Sequence, residues 1–248
     1  MPRIHRERVL LVGGQRALVM QLAHPKVAAA VAEHSEFPSG ALQRLRRTLD
    51  LSLATVFGSP DEAEAATGRI RDVHERVSGL GETGPYRATD PRLLLWVNAT
   101  LIDTTLVTYE RFVRPLTEQE RSRYYDETLE WTEAFGIPAD VVPPDLAAFR
   151  TYLGGMLGGG PLRATAVGRE LVASVLRPPL PLPLRAATEG VRLITLALLP
   201  APIRGAFGLR AGLRARAALN AATAASRATL PFLPPALREF SAARRAAS

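Results

Sequence analysis

The side chains in this sequence best suited to chemistry are few. There are four histidines, His5, His24, His34 and His74, and no cysteine. The absence of cysteine rules out disulfides, thiolate nucleophiles, Cys-ligated zinc and iron–sulfur clusters. His74 sits in RIRDVHERVSG, residues 69–79. On a helix, Ile70, His74 and Val77 would share a face, with Arg71 and Arg76 diverging from it. An imidazole so placed is either a hydrogen-bonded or surface histidine or the axial ligand of a haem, and spacing alone leaves both open. A second patch lies in LQRLRRTLDLSLATVFG, residues 42–58, where Arg44, Arg47 and Thr48 fall at i, i+3 and i+4. Two guanidiniums and a hydroxyl can hold a propionate or hydrogen-bond oxygen species, and can equally form a solvated helix face.

Other chemistries lack their residues. The positions three before each histidine are Pro2, Gln21, Val31 and Arg71. None is the glutamate that a di-iron bundle takes from its Glu-x-x-His pairs. HExxH, P-loop, GxGxxG and GxSxG patterns are absent. His24 reads as a helix-ending or pocket residue, His34 as a tie to the next turn and His5 as surface. Tyr86 and Arg87 precede Asp90 in a loop, where a propionate contact and a loop-to-helix hydrogen bond both remain open.

Elements that would carry these residues follow from apolar spacing and capping signals. Helices are predicted over 3–23, Pro25 to His34, 40–57, and Pro60 to about Ser78 after Ser59. Asp90-Pro91 opens a long apolar helix over 91–113, and Thr117 with Glu120 forms a capping box for a helix to about Phe135. Another spans Leu146 to Leu157. GLGETGPYRATDPR reads as loop, and no segment alternates as a strand would. After Gly158–Pro161 the chain turns rich in proline, alanine and arginine, with helices near 164–176, 184–199, 203–222 and 235–245. The expectation is an all-α, single-domain helical bundle over 1–248, with 161–248 completing it.

The net charge is +7, and Lys26 is the sole lysine among 31 basic residues. The arginines form neither a block nor an aromatic-interleaved stripe, so nucleic acid is not expected as a partner. No run of about 18 apolar residues exists to span a membrane. A cytoplasmic protein, with contact to a membrane surface or partner helix through its C-terminal part, is the expectation. A homodimer is compatible with an apolar C-terminal surface.

Several segments in order carry a family resemblance: QLAHPKVAAAVAEHSEF (21–37), RLRRT (44–48), VFG (56–58), VHERVSG (73–79), YRATDP (86–91) and LLWVNATL (94–101). Over about residues 10–155 the chain resembles the family of the latex-clearing protein, a rubber oxygenase, and the MpaB-type oxygenase. The resemblance implies an all-α, globin-reminiscent domain holding haem b, and oxidoreductase chemistry with dioxygen on an apolar, isoprenoid or lipid-like small molecule. It places the proximal iron ligand on His74, through H-x-x-V-x-G. It places Arg44, Arg47 and Thr48 as catalytic residues on the distal or propionate side, and His24 and Arg87 beside the cofactor. Trp96 would lie near the haem edge. Two positions depart from the pattern: Arg47 stands where the rubber enzyme has lysine, and Asn98 where many relatives have histidine. Protonated arginine cannot readily coordinate iron as a neutral lysine can. No export signal is visible, so solid rubber is not the expected substrate. The alternative is a non-catalytic haem- or lipid-binding protein at the membrane periphery.

Overall fold

The computed structural model describes residues 1–34, 50–178 and 182–246. In chain order these form α1 (Pro2–His5), a 3-10 turn (Arg8–Gly13), α2 (Gly14–Leu22), α3 (Pro25–His34), α4 (50–57), α5 (Pro60–Glu75), β1 (Ser78–Gly81), β2 (Gly84–Arg87), α6 (Pro91–Phe112), α7 (Glu118–Ala134), α8 (Leu146–Gly159), α9 (Ala166–Leu176), α10 (Leu182–Leu198), α11 (Ala201–Ala206), α12 (Leu213–Thr229), α13 (Pro235–Arg238) and α14 (Ser241–Arg245). Among the described residues the fold is all-α apart from one two-stranded hairpin.

The predicted caps form. Ser59 accepts from the Glu62 amide while the Glu62 carboxylate accepts from Ser59 N. Thr117 and Glu120 do the same at the start of α7. Asp90 accepts from the Arg92 amide and opens α6, with Pro91 in its first turn. Each cap satisfies amides that have no partner inside the helix.

Helix α6 organises the core. Leu93 and Trp96 at its N-terminal end join a cluster with Val19, Met20, Ala23, Ala28, Tyr86, Leu171 and Leu199. Ala99, Ile102, Leu106 and Tyr109 join a second cluster with Ile4, Tyr124, Tyr125 and Phe149. Between them runs a line of threonines, Thr100, Thr104 and Thr108, one per turn. They meet the 13–21 segment in antiparallel order. Gln21 donates to Thr100, Arg16 donates to Thr104 at 2.6 Å, and a Cβ on Gly13 would lie 2.5 Å from Thr108 Oγ1. Gly13 is therefore required by close approach.

Five expectations change. The predicted 235–245 helix is interrupted by extended Glu239 and Phe240. The 3–23 helix is broken at residues 6–13. Glu7 turns extended and bridges antiparallel to Glu239, and the Phe240 amide donates to Arg6 O. The fully buried Glu7 carboxylate accepts from Arg238 at 2.6–3.0 Å. That long-range pairing overrides local helical spacing. The predicted loop at 79–92 begins with a hairpin that also takes in Ser78, paired Ser78 to Arg87 through Gly81 to Gly84, and α5 accordingly stops at Glu75 rather than near Ser78. The 203–222 helix is divided at Gly208, which takes φ +66, and restarts after Gly212. His5 is not a surface residue: its Nε2 lies 3.0 Å from the Tyr124 hydroxyl and the two rings stack. Burial, with a smaller push from the N-terminal amine, lowers its pKa to about 4.

Candidate functional site

His74 occupies the last turn of α5, and the hairpin that follows it is clamped onto α3. The clamp consists of two hydrogen bonds and two close approaches. The Tyr86 hydroxyl donates to Glu33 Oε2 at 2.5 Å, and His34 Nε2 lies 3.1 Å from Ser78 O. A Cβ on Gly79 would fall 2.3 Å from Glu33 Oε2 and 2.6 Å from the Tyr86 hydroxyl, and one on Gly81 would fall 2.8 Å from Ala29 Cβ. Only glycine admits strand β1 this close to α3 and to its own partner strand. Tyr86 thus makes the loop-to-helix hydrogen bond, and burial, followed by the Glu33 carboxylate, raises its pKa to about 12.

Two clefts flank the turn after the hairpin and share Thr89. The smaller, about 180 Å³, is walled by Arg71, His74 and Glu75 of α5, by Leu94 of α6, and by Phe135 and Gly136 beyond α7. The larger, about 680 Å³, is lined by Ser78, Gly79, Pro85, Tyr86, Arg87, Thr89 and Asp90. The larger has the size typical of small-molecule sites, roughly 300–1,000 Å³.

The His74 ring is half-buried, and burial lowers its pKa below the ordinary histidine value, so it is neutral near pH 7. Its Nδ1 is buried without a hydrogen-bond partner. Such orphans are rare in folded proteins and mark sites where a ligand, ion or water completes the pairing. Ile70, His74 and Val77 are the half-buried positions of residues 69–77, as their shared helix face predicts, while Arg71, expected to diverge from that face, lines the cleft with His74 at i, i+3. The polar spacing 71, 74, 75 was the available signal; Phe135 and Gly136 carried none, because they arrive from a distant helix end.

His24 is buried and also has an unpartnered Nδ1. Burial first, then Lys26, lower its pKa to about 4, and Asp90 partly offsets them. Its carbonyl accepts from the Ala28 amide at the start of α3. Arg87 is exposed on the wall of the larger cleft. Trp96 is wholly buried in the core, with an unpartnered Nε1, and lines neither cleft. Asn98 joins α6 to α7 by donating to Thr132 at 2.9 Å. Arg44, Arg47 and Thr48 lie outside the described residues. The structure therefore brings His74, Arg71, Thr89 and Arg87 to the two adjoining clefts, where a neutral imidazole is available as a ligand and two guanidiniums as anion partners, while His24 lines neither.

No described helix is long and apolar enough to cross a membrane. The chain is 30% identical over 179 residues to Uncharacterized protein Mb2261 of Mycobacterium bovis and, equally, to Uncharacterized protein Rv2237 of Mycobacterium tuberculosis. In both cases the aligned part is 68% of this chain and 68% of the relative. No solved structure matches. Residues 2–228 match the family described as ER-bound oxygenase mpaB/B'/rubber oxygenase, catalytic domain. The match runs through both clefts and every core helix from α2 to α10, so the chain belongs to this family and is an oxygenase-like catalytic domain.

Proposed function

We propose that the chain is a haem b-dependent oxygenase that uses dioxygen on an apolar, isoprenoid or lipid-like small molecule, with His74 as the residue that would hold the iron. The observation that carries this reading is the His74 ring: neutral, half-buried, with an orphaned nitrogen in a cleft walled by Leu94 and Phe135. Only a neutral imidazole offers a lone pair to a metal. The donor set fits a haem better than an ion held by side chains alone. Among the described residues no three His, Asp or Glu side chains converge on one point, whereas a porphyrin brings its own in-plane ligands and needs one imidazole from the protein.

The haem supplies the oxygen chemistry when bound. The chain's residues bind and orient. Arg71 and Arg87 are suited to the propionates, as guanidiniums pair bidentately with carboxylates. Leu94 and Phe135 exclude water from the imidazole side. By the family resemblance, His24 would offer a neutral ring nitrogen to the cofactor's edge. By the same resemblance, Arg44, Arg47 and Thr48 would supply hydrogen-bond donors to the haem or its bound oxygen, and arginine rather than lysine at 47 would bring a charge that stays fixed at all working pH values.

The test is an absorption spectrum of the protein expressed with a haem precursor. A Soret band that shifts on dithionite reduction and again with carbon monoxide is expected in wild type, and its loss in His74→Ala. Full haem content in His74→Ala would overturn the ligand assignment. No Soret band in wild type, even after hemin addition, would overturn the cofactor. Arg44→Ala and Thr48→Ala are expected to keep haem and lose oxygen consumption with a polyprenyl substrate.

A further inference from the structure

The positive charge of this protein is not spread evenly. Residues 201–248 hold eight arginines and one glutamate, while residues 1–200 hold the other 23 basic and 23 acidic residues. The entire net charge of +7 therefore resides in the last 48 residues. The same region carries the two most exposed large apolar side chains of the described residues, Phe232 at 86% and Leu213 at 84% exposure, and also the exposed Leu237.

Helix α12 shows how charge and apolar surface are arranged. Ala215 and Leu219 face the core. On the opposite side, Leu213, Ala217, Ala221, Ala224 and Ala228 form an exposed strip at i, i+3 and i+4 steps. Arg214 borders the strip on one edge, and Arg216 and Arg227 border it on the other. Arg227 donates to the neutral Glu110 carbonyl, and Arg111 of α6 joins the same edge by donating to Asn220. Among the described residues, Arg214, Arg216 and Arg227 pair with no carboxylate. Phe232 follows the helix directly. It is not on a loose tail, because the 238–240 segment is fastened to residues 6–7.

We infer that this face docks on an anionic phospholipid surface, with α12 lying in the plane of the headgroups. An apolar strip bounded by arginines is the arrangement of an interfacial helix, in which apolar side chains enter the acyl boundary and guanidiniums reach back to phosphates. Nucleic acid fits less well. A polyanion leaves the Leu–Ala strip and Phe232 unused, and single-strand binding needs a series of stacking aromatics, whereas Phe232 is the one aromatic among the large exposed hydrophobics of the described residues. Docking on lipid does not depend on the cofactor assigned to His74.

The experiment is co-sedimentation of the full chain with vesicles of phosphatidylcholine alone and of phosphatidylcholine mixed with phosphatidylglycerol. Binding to the mixed vesicles only, weakened but not abolished by high salt, is the expected result. Each arginine near such a surface is worth roughly five-fold in affinity, so Arg214→Glu with Arg216→Glu should weaken binding by at least about 25-fold. Leu213→Ser with Phe232→Ser, both exposed and remote from packing, should leave attachment weaker and wholly salt-sensitive. Equal binding to both vesicle types, no binding to the mixed ones, or full binding by the arginine variant would overturn the inference. So would displacement from vesicles by an oligonucleotide at equal charge concentration, which would mark a nucleic-acid surface instead.

Discussion

Replacing Gly79 with alanine tests whether the clamp between the His74 helix and α3 is as tight as described. The new Cβ would sit 2.3 Å from Glu33 Oε2 and 2.6 Å from the Tyr86 hydroxyl, atoms that are hydrogen-bonded to each other. Tyr86 is 3% exposed and held in the core, so it cannot retreat; Glu33, at the edge, must swing out. The substitution therefore breaks a hydrogen bond to a charged group, worth about 1.5–3 kcal/mol, and leaves a buried phenol unpaired. An overall loss of roughly 2–3 kcal/mol corresponds to about 4–12 °C in melting temperature for a chain of this size. The control is Gly68→Ala, in the middle of α5, where an added Cβ meets nothing within 4 Å. There the same change should raise stability by about 0.5–1 kcal/mol, because a helical glycine is entropically unfavourable. Thermal unfolding followed by circular dichroism reads both. A second arm uses Tyr86→Phe. With the hydroxyl gone and Glu33 released, adding Gly79→Ala should cost less than about 1 kcal/mol more, a coupling expected only of groups in contact. An unchanged melting point in Gly79→Ala, or the same loss in both backgrounds, would refute the clamp.

Further outcomes follow from the buried charges. Removing Arg238 by alanine strands the buried Glu7 carboxylate, with Arg6 Nε 3.7 Å away as its remaining cation, and should destabilise by about 3 kcal/mol in a denaturant melt. A change within experimental error would show that the ion pair is solvated. His5 and His24 both have folded pKa values lowered to about 4, against 6.5 unfolded. Between those values the unfolded chain binds more protons, so stability is fully present above about pH 6.5 and falls as pH drops to about 4, by up to roughly 3 kcal/mol per ring. A pH series of melting temperatures should flatten in His5→Phe, and a series identical to wild type would remove His5 from that account.

Features determined by neighbours in sequence were legible. Ser59 with Glu62, Thr117 with Glu120, and Asp90-Pro91 each satisfy helix amides within three residues, so a reader of the chain can see both partners. The hairpin was not legible, because SGLG and GPYR have no alternating pattern. Their pairing depends on α3, which Gly79 and Gly81 approach closely. The break in the first helix was hidden for the same reason: Glu7 finds Arg238 from the far end of the chain. At the site, His74 and His24 could be singled out as rare titratable side chains, and Arg87 by its place before Asp90. Phe135 and Gly136 could not, since only the packing of α7 brings them opposite His74. His5 was misread because its partner, Tyr124, lies 119 residues away.

The bond between Glu7 and Arg238 also has a consequence in time. Its two ends are separated by 231 residues, and ribosomes add about 5–20 residues per second. Glu7 is thus made on the order of tens of seconds before the cation that neutralises it. The matched family region ends at residue 228, so even that portion emerges before closure is possible. The N-terminal segment must wait, with residues 6–8 hydrated and unbridged, until the 238–240 segment leaves the exit tunnel. Closure therefore waits for the 238–240 segment to emerge, and it belongs to the slow, high-contact-order part of folding.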